Sequence, residues 1–163
     1  MADDSRFRKS RARLRVADGT YFVTWRLGSQ QSPLTAAERN VVAATLEYFA
    51  ESRYHLHAWV VMDDHVHVVV TPQAPATLDS VVHSWRSYAA HRLVFESGRT
   101  PPVWQRGGYD RLVLPESELG QKAEYVRRNS ARRWPDATQY PWVFPAWSDG
   151  VLCAEFGTRW AGT

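Results

Sequence analysis

The chain has 163 residues, of which 44% are apolar and eight are tryptophan, so it is long enough and apolar enough to fold as one domain with a real core. A single cysteine, Cys153, excludes a disulfide framework and any multi-cysteine zinc site. The first ten residues carry no apolar run after their charges, and no segment approaches the length of a membrane span, so we expect a soluble cytoplasmic protein.

The positive charge is unevenly distributed, although the net charge is only +3. Residues 6–15 carry six cations and no acid, and residues 127–133 carry four more. Arginine codons enriched by a GC-rich genome would explain a general excess of arginine, but two clusters favour binding of a polyanion. The clustered cations are Arg6, Arg8, Lys9, Arg11, Arg13, Arg15, Arg127, Arg128, Arg132 and Arg133.

The first predicted elements are a strand and a helix. Residues 20–27, TYFVTWRL, alternate and are rich in strand-forming residues, which predicts a strand. A helix is predicted to begin after Thr35, because Thr35 and Glu38 have the spacing of a capping box. The stripe that this helix would bury consists of Val41, Val42, Thr45, Leu46 and Phe49.

A hairpin and a second helix follow. Strands at residues 54–62 and 65–70 are separated by only two residues, a spacing that predicts a hairpin. Thr77 is placed to cap the next helix and Gly98 to end it. The stripe of this helix consists of Leu78, Val81, Val82, Trp85, Ala89 and Leu93.

The remaining elements complete a known arrangement. Residues 109–114 predict a fourth strand and residues 116–129 a third helix, whereas residues 134–163 show no clear period. The order β-α-β-β-α-β plus a helix is that of an α+β, ferredoxin-like fold, in which two helices cover one face of a four-stranded antiparallel sheet. The other face is left for function. RNA-recognition domains share this layout, so the fold alone does not fix the activity.

Two pairs of histidines are candidate metal ligands. His65 and His67 are one residue apart on a strand, so they share a face and could chelate one divalent metal; they could equally be half-exposed histidines that bind none. His55 and His57 form a second such pair on the preceding strand. A two-residue turn would place this second pair on the opposite face of the hairpin. Periodicity alone does not choose between the pairs.

The third helix carries a tyrosine and an amide on one stripe. Tyr125 and Asn129 are four residues apart, and they lie beside the apolar stripe of Leu119, Ala123 and Val126. A helix packed by that stripe would point both polar groups along an edge of the sheet. The tyrosine is then either part of ordinary amphipathic packing or a catalytic group.

Several segments together resemble the HUH transposases. The segment YHLHAWVVMDDHVHVVVTP (54–72) resembles their histidine motif, and KAEYVRRN (122–129) resembles the helix that carries a single catalytic tyrosine. The segments YFVTWRL, VWQRGGYDRLVL and QYPW also resemble parts of the REP-associated tyrosine transposases, relatives of the smallest insertion-sequence transposases. The resemblance covers about residues 18–142. It divides the chain into a basic segment at 1–17, expected to be flexible until DNA binds, a transposase-like domain at 18–142, and a tail at 143–163.

The resemblance implies a site and a reaction. It selects His65 and His67 as ligands of Mg²⁺ or Mn²⁺, Asn129 as a third ligand, and Tyr125 as the nucleophile. It implies cleavage of single-stranded DNA beside a hairpin, such as a repetitive extragenic palindrome, through a 5′-phosphotyrosine intermediate. The clustered arginines would contact the DNA backbone. The protein would act as a monomer or a homodimer.

Two departures and two alternatives accompany this interpretation. Asp64 stands where the family usually has asparagine before the histidine pair, and Asn129 is followed by Ser-Ala instead of Pro-Val. One alternative is a binding module for hairpin DNA or RNA that no longer cleaves. The other is an unrelated metal hydrolase that uses His65, His67 and a bound water, and that would not need Tyr125.

Overall fold

A five-stranded antiparallel sheet forms the centre of the molecule. The computed structural model describes residues 15–113 and 117–145, and within them the sheet order is β4-β1-β3-β2-β5. The elements are β1 Tyr21–Arg26, α1 Ala36–Glu47, β2 Tyr54–Val61, β3 His65–Pro72, α2 Leu78–Ser97, β4 Tyr109–Leu112, α3 Ser117–Arg133 and β5 Val143–Phe144. The predicted α+β, ferredoxin-like arrangement is confirmed. The short β5, which pairs with the outer side of β2, was not predicted.

The helix ends follow from local hydrogen bonds that the sequence predicts. The Thr35 hydroxyl accepts a bond from the Glu38 N–H, and the Glu38 carboxylate accepts one from the Thr35 N–H, so the predicted capping box is present. Gly98 ends α2 in the left-handed conformation, at φ 67°, as glycine readily does. Within the described part of the chain, no helix is both long enough and apolar enough to span a bilayer.

Each face of the sheet has its own apolar core. The face covered by α1 and α2 buries Trp25, Leu46, Val68 and Trp85 among others. The opposite face buries a smaller cluster under α3, which consists of Phe22, Ala58, Val60, Met62, Val69, Val113, Val126 and Val143. Because α3 covers only part of this second face, polar side chains of β1 and β3 remain near the surface there.

A bulge in β2 overturns one prediction about the histidines. Val60 pairs with His67, as a two-residue turn requires, but the register then shifts between Leu56 and Ala58. The extra residue reverses the direction in which the side chains before it point. His55 therefore pairs with Thr71 and lies on the same face of the sheet as His67. The prediction that His55 and His57 lie on the opposite face is therefore wrong. The two pairs share a face but lie at opposite ends of β3.

A buried ion pair anchors the start of α1. Arg99 donates to both oxygens of Glu38 at 2.6 and 2.7 Å, and the two side chains are only 7% and 5% exposed. The bond from Arg99 lowers the pKa of Glu38 below its ordinary value of 4.5, although burial acts in the other direction. The pair therefore contributes stability above that value, and the contribution is lost as the pH falls through the lowered pKa.

The Glu38→Ala variant is expected to lose about 3–5 kcal/mol of unfolding free energy at neutral pH, because it leaves the Arg99 guanidinium buried without its partner. Urea unfolding followed by tryptophan fluorescence would measure the loss, and the difference from wild type should shrink at acid pH. Glu96→Ala is the matched control, since the Arg92–Glu96 pair lies on the exposed surface of α2. A loss no larger than that of the control would contradict the assignment.

Candidate active site

His65 and His67 begin β3, on the face that α3 partly covers. The rings are 4.6 Å apart between centroids, and the residues are only 8% and 6% exposed. Through the β1–β3 register, His67 lies opposite Thr24 and His65 lies opposite Arg26. The pair therefore lies directly across from two polar residues of the neighbouring strand β1.

Each imidazole is held through its Nδ1 atom. The His65 Nδ1 lies 2.5 Å from the Asp64 Oδ1, and the His67 Nδ1 lies 2.6 Å from the Thr24 Oγ1. Neither Nε2 atom makes a hydrogen bond to any residue in the described ranges 15–113 and 117–145. Both Nε2 atoms are therefore free to bind a ligand.

Burial favours the neutral form of the His67 imidazole. Burial lowers the pKa of His67 to about 3, and the positive charge of Arg26 and the neighbouring His65 act in the same direction. Burial is the largest single influence on Asp64 and acts to raise its pKa. The bond to His65 and the nearby charges of His65, Arg133 and Arg26 together outweigh it, so this pKa lies below its ordinary value. Neutral imidazole is the form that binds metals.

Helix α3 places Tyr125 beside the pair. Val126 is fully buried in the second core, and this packing sets the rotation of the helix. The Tyr125 ring then lies 5.7 Å from the His67 ring and 5.9 Å from the Phe22 ring, and it stays 37% exposed. The expectation that the stripe points along an edge of the sheet is wrong for Tyr125, because its ring lies against Phe22 of β1 and His67 of β3, and both of these strands are inner strands.

The side chains of His65 and His67 suit a divalent metal, but such a metal would need at least one further ligand. Two buried imidazoles with free Nε2 atoms suit a divalent ion. In residues 15–113 and 117–145, no three His, Cys, Asp or Glu side chains form a group that could hold a metal. Asn129 is half-buried one turn after Tyr125, and its side chain makes no hydrogen bond to any residue in those ranges. It stays the predicted third ligand.

Most of the described arginines predicted to bind DNA are engaged by acids. Arg15 pairs with Asp79 and Asp110, and Arg133 pairs with Asp63. Earlier on α3, Arg127 and Arg128 both pair with Glu124. The predicted cations Arg6, Arg8, Lys9, Arg11 and Arg13 lie outside the described residues.

Arg132 differs from the other arginines of α3. Its guanidinium lies 4.9 Å from the centre of the Tyr125 ring, and it forms no ion pair within the described part of the chain. Lys122 lies one turn before the tyrosine, 5.3 Å from the Phe22 ring, and its ammonium is 4.0 Å from the Glu118 carboxylate. Two cations therefore flank the tyrosine on the helix.

Sequence reasoning did not identify Thr24, Arg26 or Lys122 as parts of this site. The alternation of residues 20–27 shows that Thr24 and Arg26 share a strand face. It does not show which strand lies next to that face. The spacing of Lys122, three residues before Tyr125, was a usable signal, because residues three apart are neighbours on a helix.

Comparisons with known proteins find one matching family and two similar solved structures. The model of the family described as "Transposase IS200 like" matches residues 16–129. The solved structure of a REP-associated tyrosine transposase bound to a REP hairpin matches with a TM-score of 0.68, at 19% identity, covering 82% of this chain and 81% of that one. A structure described as a putative transposase from Deinococcus radiodurans R1 matches with a TM-score of 0.51, at 18% identity, covering 72% and 95%. A search of curated protein sequences gives no significant match.

Proposed function

This chain belongs to the IS200-like transposase family, and from that premise we propose that it is a metal-dependent endonuclease and strand transferase of single-stranded DNA. The observation that carries the proposal is the position of Tyr125, whose ring lies 5.7 Å from that of His67, the inner member of a histidine pair with both Nε2 atoms free. A nucleophile and a phosphate-activating site are thereby adjacent on one open face.

The proposed substrate is a DNA hairpin with single-stranded DNA beside it. The fold of this chain is similar to that of a transposase whose structure contains a REP hairpin, and we extend that class of substrate to this chain. The strand at the cut is proposed to be single-stranded, which is the substrate form that the resemblance to the HUH transposases implies.

The proposed chemistry is transesterification. The Tyr125 oxygen attacks phosphorus as its hydroxyl loses a proton, the bond from phosphorus to the 3′ oxygen breaks, and a strand with a 3′-OH leaves. The other strand stays on Tyr125 as a 5′-phosphotyrosine. Because one phosphoester replaces another, a 3′-OH can later attack this intermediate and rejoin strands without a nucleotide cofactor.

His65, His67 and Asn129 would hold the divalent metal, Mg²⁺ or Mn²⁺. When bound, the ion supplies Lewis acidity at the non-bridging phosphate oxygens. The protein orients the reacting groups through the packing of Val126 and the contact of Tyr125 with Phe22. Arg132 and Lys122 add positive charge on either side of the phosphate path.

The Arg132→Ala variant is expected to weaken hairpin DNA binding and to reduce the slope of log K against log salt by about 0.7–0.9, the share of one phosphate contact. Fluorescence anisotropy over a salt series measures both effects. Arg128→Ala is the control on the same helix, because its guanidinium already pairs with Glu124. An effect of Arg128→Ala equal to that of Arg132→Ala would contradict the assignment.

A covalent-capture assay tests the proposed function. Wild-type protein is incubated with Mg²⁺, with Mn²⁺ or with EDTA, together with hairpin DNA from palindromes that flank its own gene, labelled at either the 5′ or the 3′ end. The proposal expects a metal-dependent covalent band that carries the 3′ label, while the 5′ label leaves on a free strand. Binding without any cleavage would favour a DNA-binding module that no longer cleaves. Cleavage without a covalent band would favour a metal hydrolase.

A further inference from the structure

The contacts at the Nδ1 atoms of His65 and His67 bear on which ring nitrogen of each histidine carries the proton. A neutral imidazole has one N–H and one bare nitrogen, and a metal binds the bare one. The Asp64 carboxylate can only accept a hydrogen bond, so the His65 Nδ1, 2.5 Å away, must carry the proton. A hydroxyl can donate or accept, and when the Thr24 Oγ1 accepts from the His67 Nδ1, 2.6 Å away, the proton of His67 lies on its Nδ1 as well.

We propose that Thr24 and Asp64 are positioning residues that fix both histidines as Nδ1–H tautomers, so that each ring presents a bare Nε2 to the metal. The inference rests on the proposed function, because it assigns the metal to these two rings. Partners of this kind orient ligand rings and raise their basicity, and their loss weakens metal binding by about 10- to 100-fold.

The geometry of the sheet holds both partners in place. Thr24 lies directly opposite His67 in the β1–β3 register, so two inner strands fix the distance between the hydroxyl and the ring. Asp64 precedes His65 in the tight turn between β2 and β3, where the Met62 N–H donates to the His65 carbonyl at 2.8 Å. Asp64, which stands where the family usually has asparagine, thus has a structural role, because its carboxylate bonds to the His65 ring.

The test reads the tautomers directly in metal-free protein, by long-range ¹H–¹⁵N correlation of the histidine rings. We expect protonated Nδ1 and bare Nε2 in both His65 and His67 of the wild type. Thr24→Val keeps the branched shape and removes the hydroxyl, so it should release His67 to its Nε2–H form and leave His65 unchanged. Calorimetric titration with Mn²⁺ should show a dissociation constant raised by about 10- to 100-fold, and Thr24→Ser should restore it towards the wild-type value.

Thr71→Val is the matched control. The Thr71 hydroxyl bonds to the His57 Nε2 at 2.7 Å, a contact of the same kind on the same face but at the far end of β3. The Thr71 hydroxyl also bonds to the Thr20 hydroxyl at 2.6 Å, but among the histidine rings this variant should affect only His57, and it should leave Mn²⁺ affinity unchanged. An Nε2–H tautomer of His67 in the wild type, or unchanged Mn²⁺ affinity in Thr24→Val, would overturn the inference.

The two proposals can fail separately. Nδ1–H tautomers in a protein that binds Mn²⁺ but makes no covalent DNA product would support the positioning role and contradict the proposed function. A covalent DNA product from a protein whose His67 carries its proton on Nε2 would leave the proposed function standing and overturn the positioning role.

Discussion

The Tyr125→Phe variant is expected to bind hairpin DNA as the wild type does and to form no covalent product. The substitution removes only the hydroxyl, and it keeps the ring that contacts Phe22 and lies under Arg132. Removing a nucleophile from a group of residues that act together lowers the rate by at least about a thousandfold. Covalent capture and anisotropy on the same DNA measure the two properties separately.

Tyr109→Phe is the matched control for this substitution. Tyr109 is 54% exposed and lies against the same phenylalanine, with ring centroids 6.3 Å apart, but it projects from β4 instead of α3. It should keep both binding and covalent capture. A covalent product from Tyr125→Phe would contradict the assignment of the nucleophile. Cleavage by Tyr125→Phe without a covalent product would identify a hydrolase that attacks with water.

The His67→Ala variant is expected to lose Mn²⁺ binding and covalent capture together, each by more than about a hundredfold, because a lost ligand should cost more than a lost ligand partner. His67 is the more central of the pair, with its ring against Phe22 at 5.3 Å and beside Tyr125. Titration with Mn²⁺ and the capture assay check the two losses, and hairpin binding without metal reports whether the fold survives.

His57→Ala provides the comparison for His67→Ala. It removes a histidine from the same face, but from the bulge at the other end of the hairpin, where it bonds to Thr71. Metal binding and covalent capture should persist in this variant. If His57→Ala abolished metal binding and His67→Ala did not, the metal would belong to the second histidine pair.

Local patterns in the sequence predicted the parts of the fold that depend on near neighbours. The capping box at Thr35 and the end of α2 at Gly98 involve residues a few positions apart, so their chemistry is visible in the chain. The hairpin followed from two polar residues between two apolar runs. The bulge at residue 57 was not visible, because His57 fits a regular strand as well as a bulged one. That single extra residue placed His55 and His57 on the face opposite to the one predicted.

The candidate site could be predicted only in part for a similar reason. The motif indicated the pair His65 and His67 and the tyrosine on α3, but their proximity depends on how α3 packs across β1 and β3. The partners of the pair come from strand register, which no periodicity in one strand reveals. The ion pairs of Arg127 and Arg128 with Glu124 were open to prediction, since they join residues three and four apart on one helix.

The role of Tyr125 as the nucleophile is tested most directly by finding which residue of the protein carries the DNA. Wild-type protein captured on hairpin DNA with Mn²⁺ would be digested with nuclease and trypsin and analysed by mass spectrometry. Trypsin cuts after Lys122 and Arg127, so Tyr125 falls in the five-residue peptide AEYVR. We expect this peptide to carry a nucleotide joined through a 5′ phosphate to the tyrosine. A nucleotide on another residue, a 3′ linkage, or cleaved DNA with the peptide unmodified would contradict this expectation.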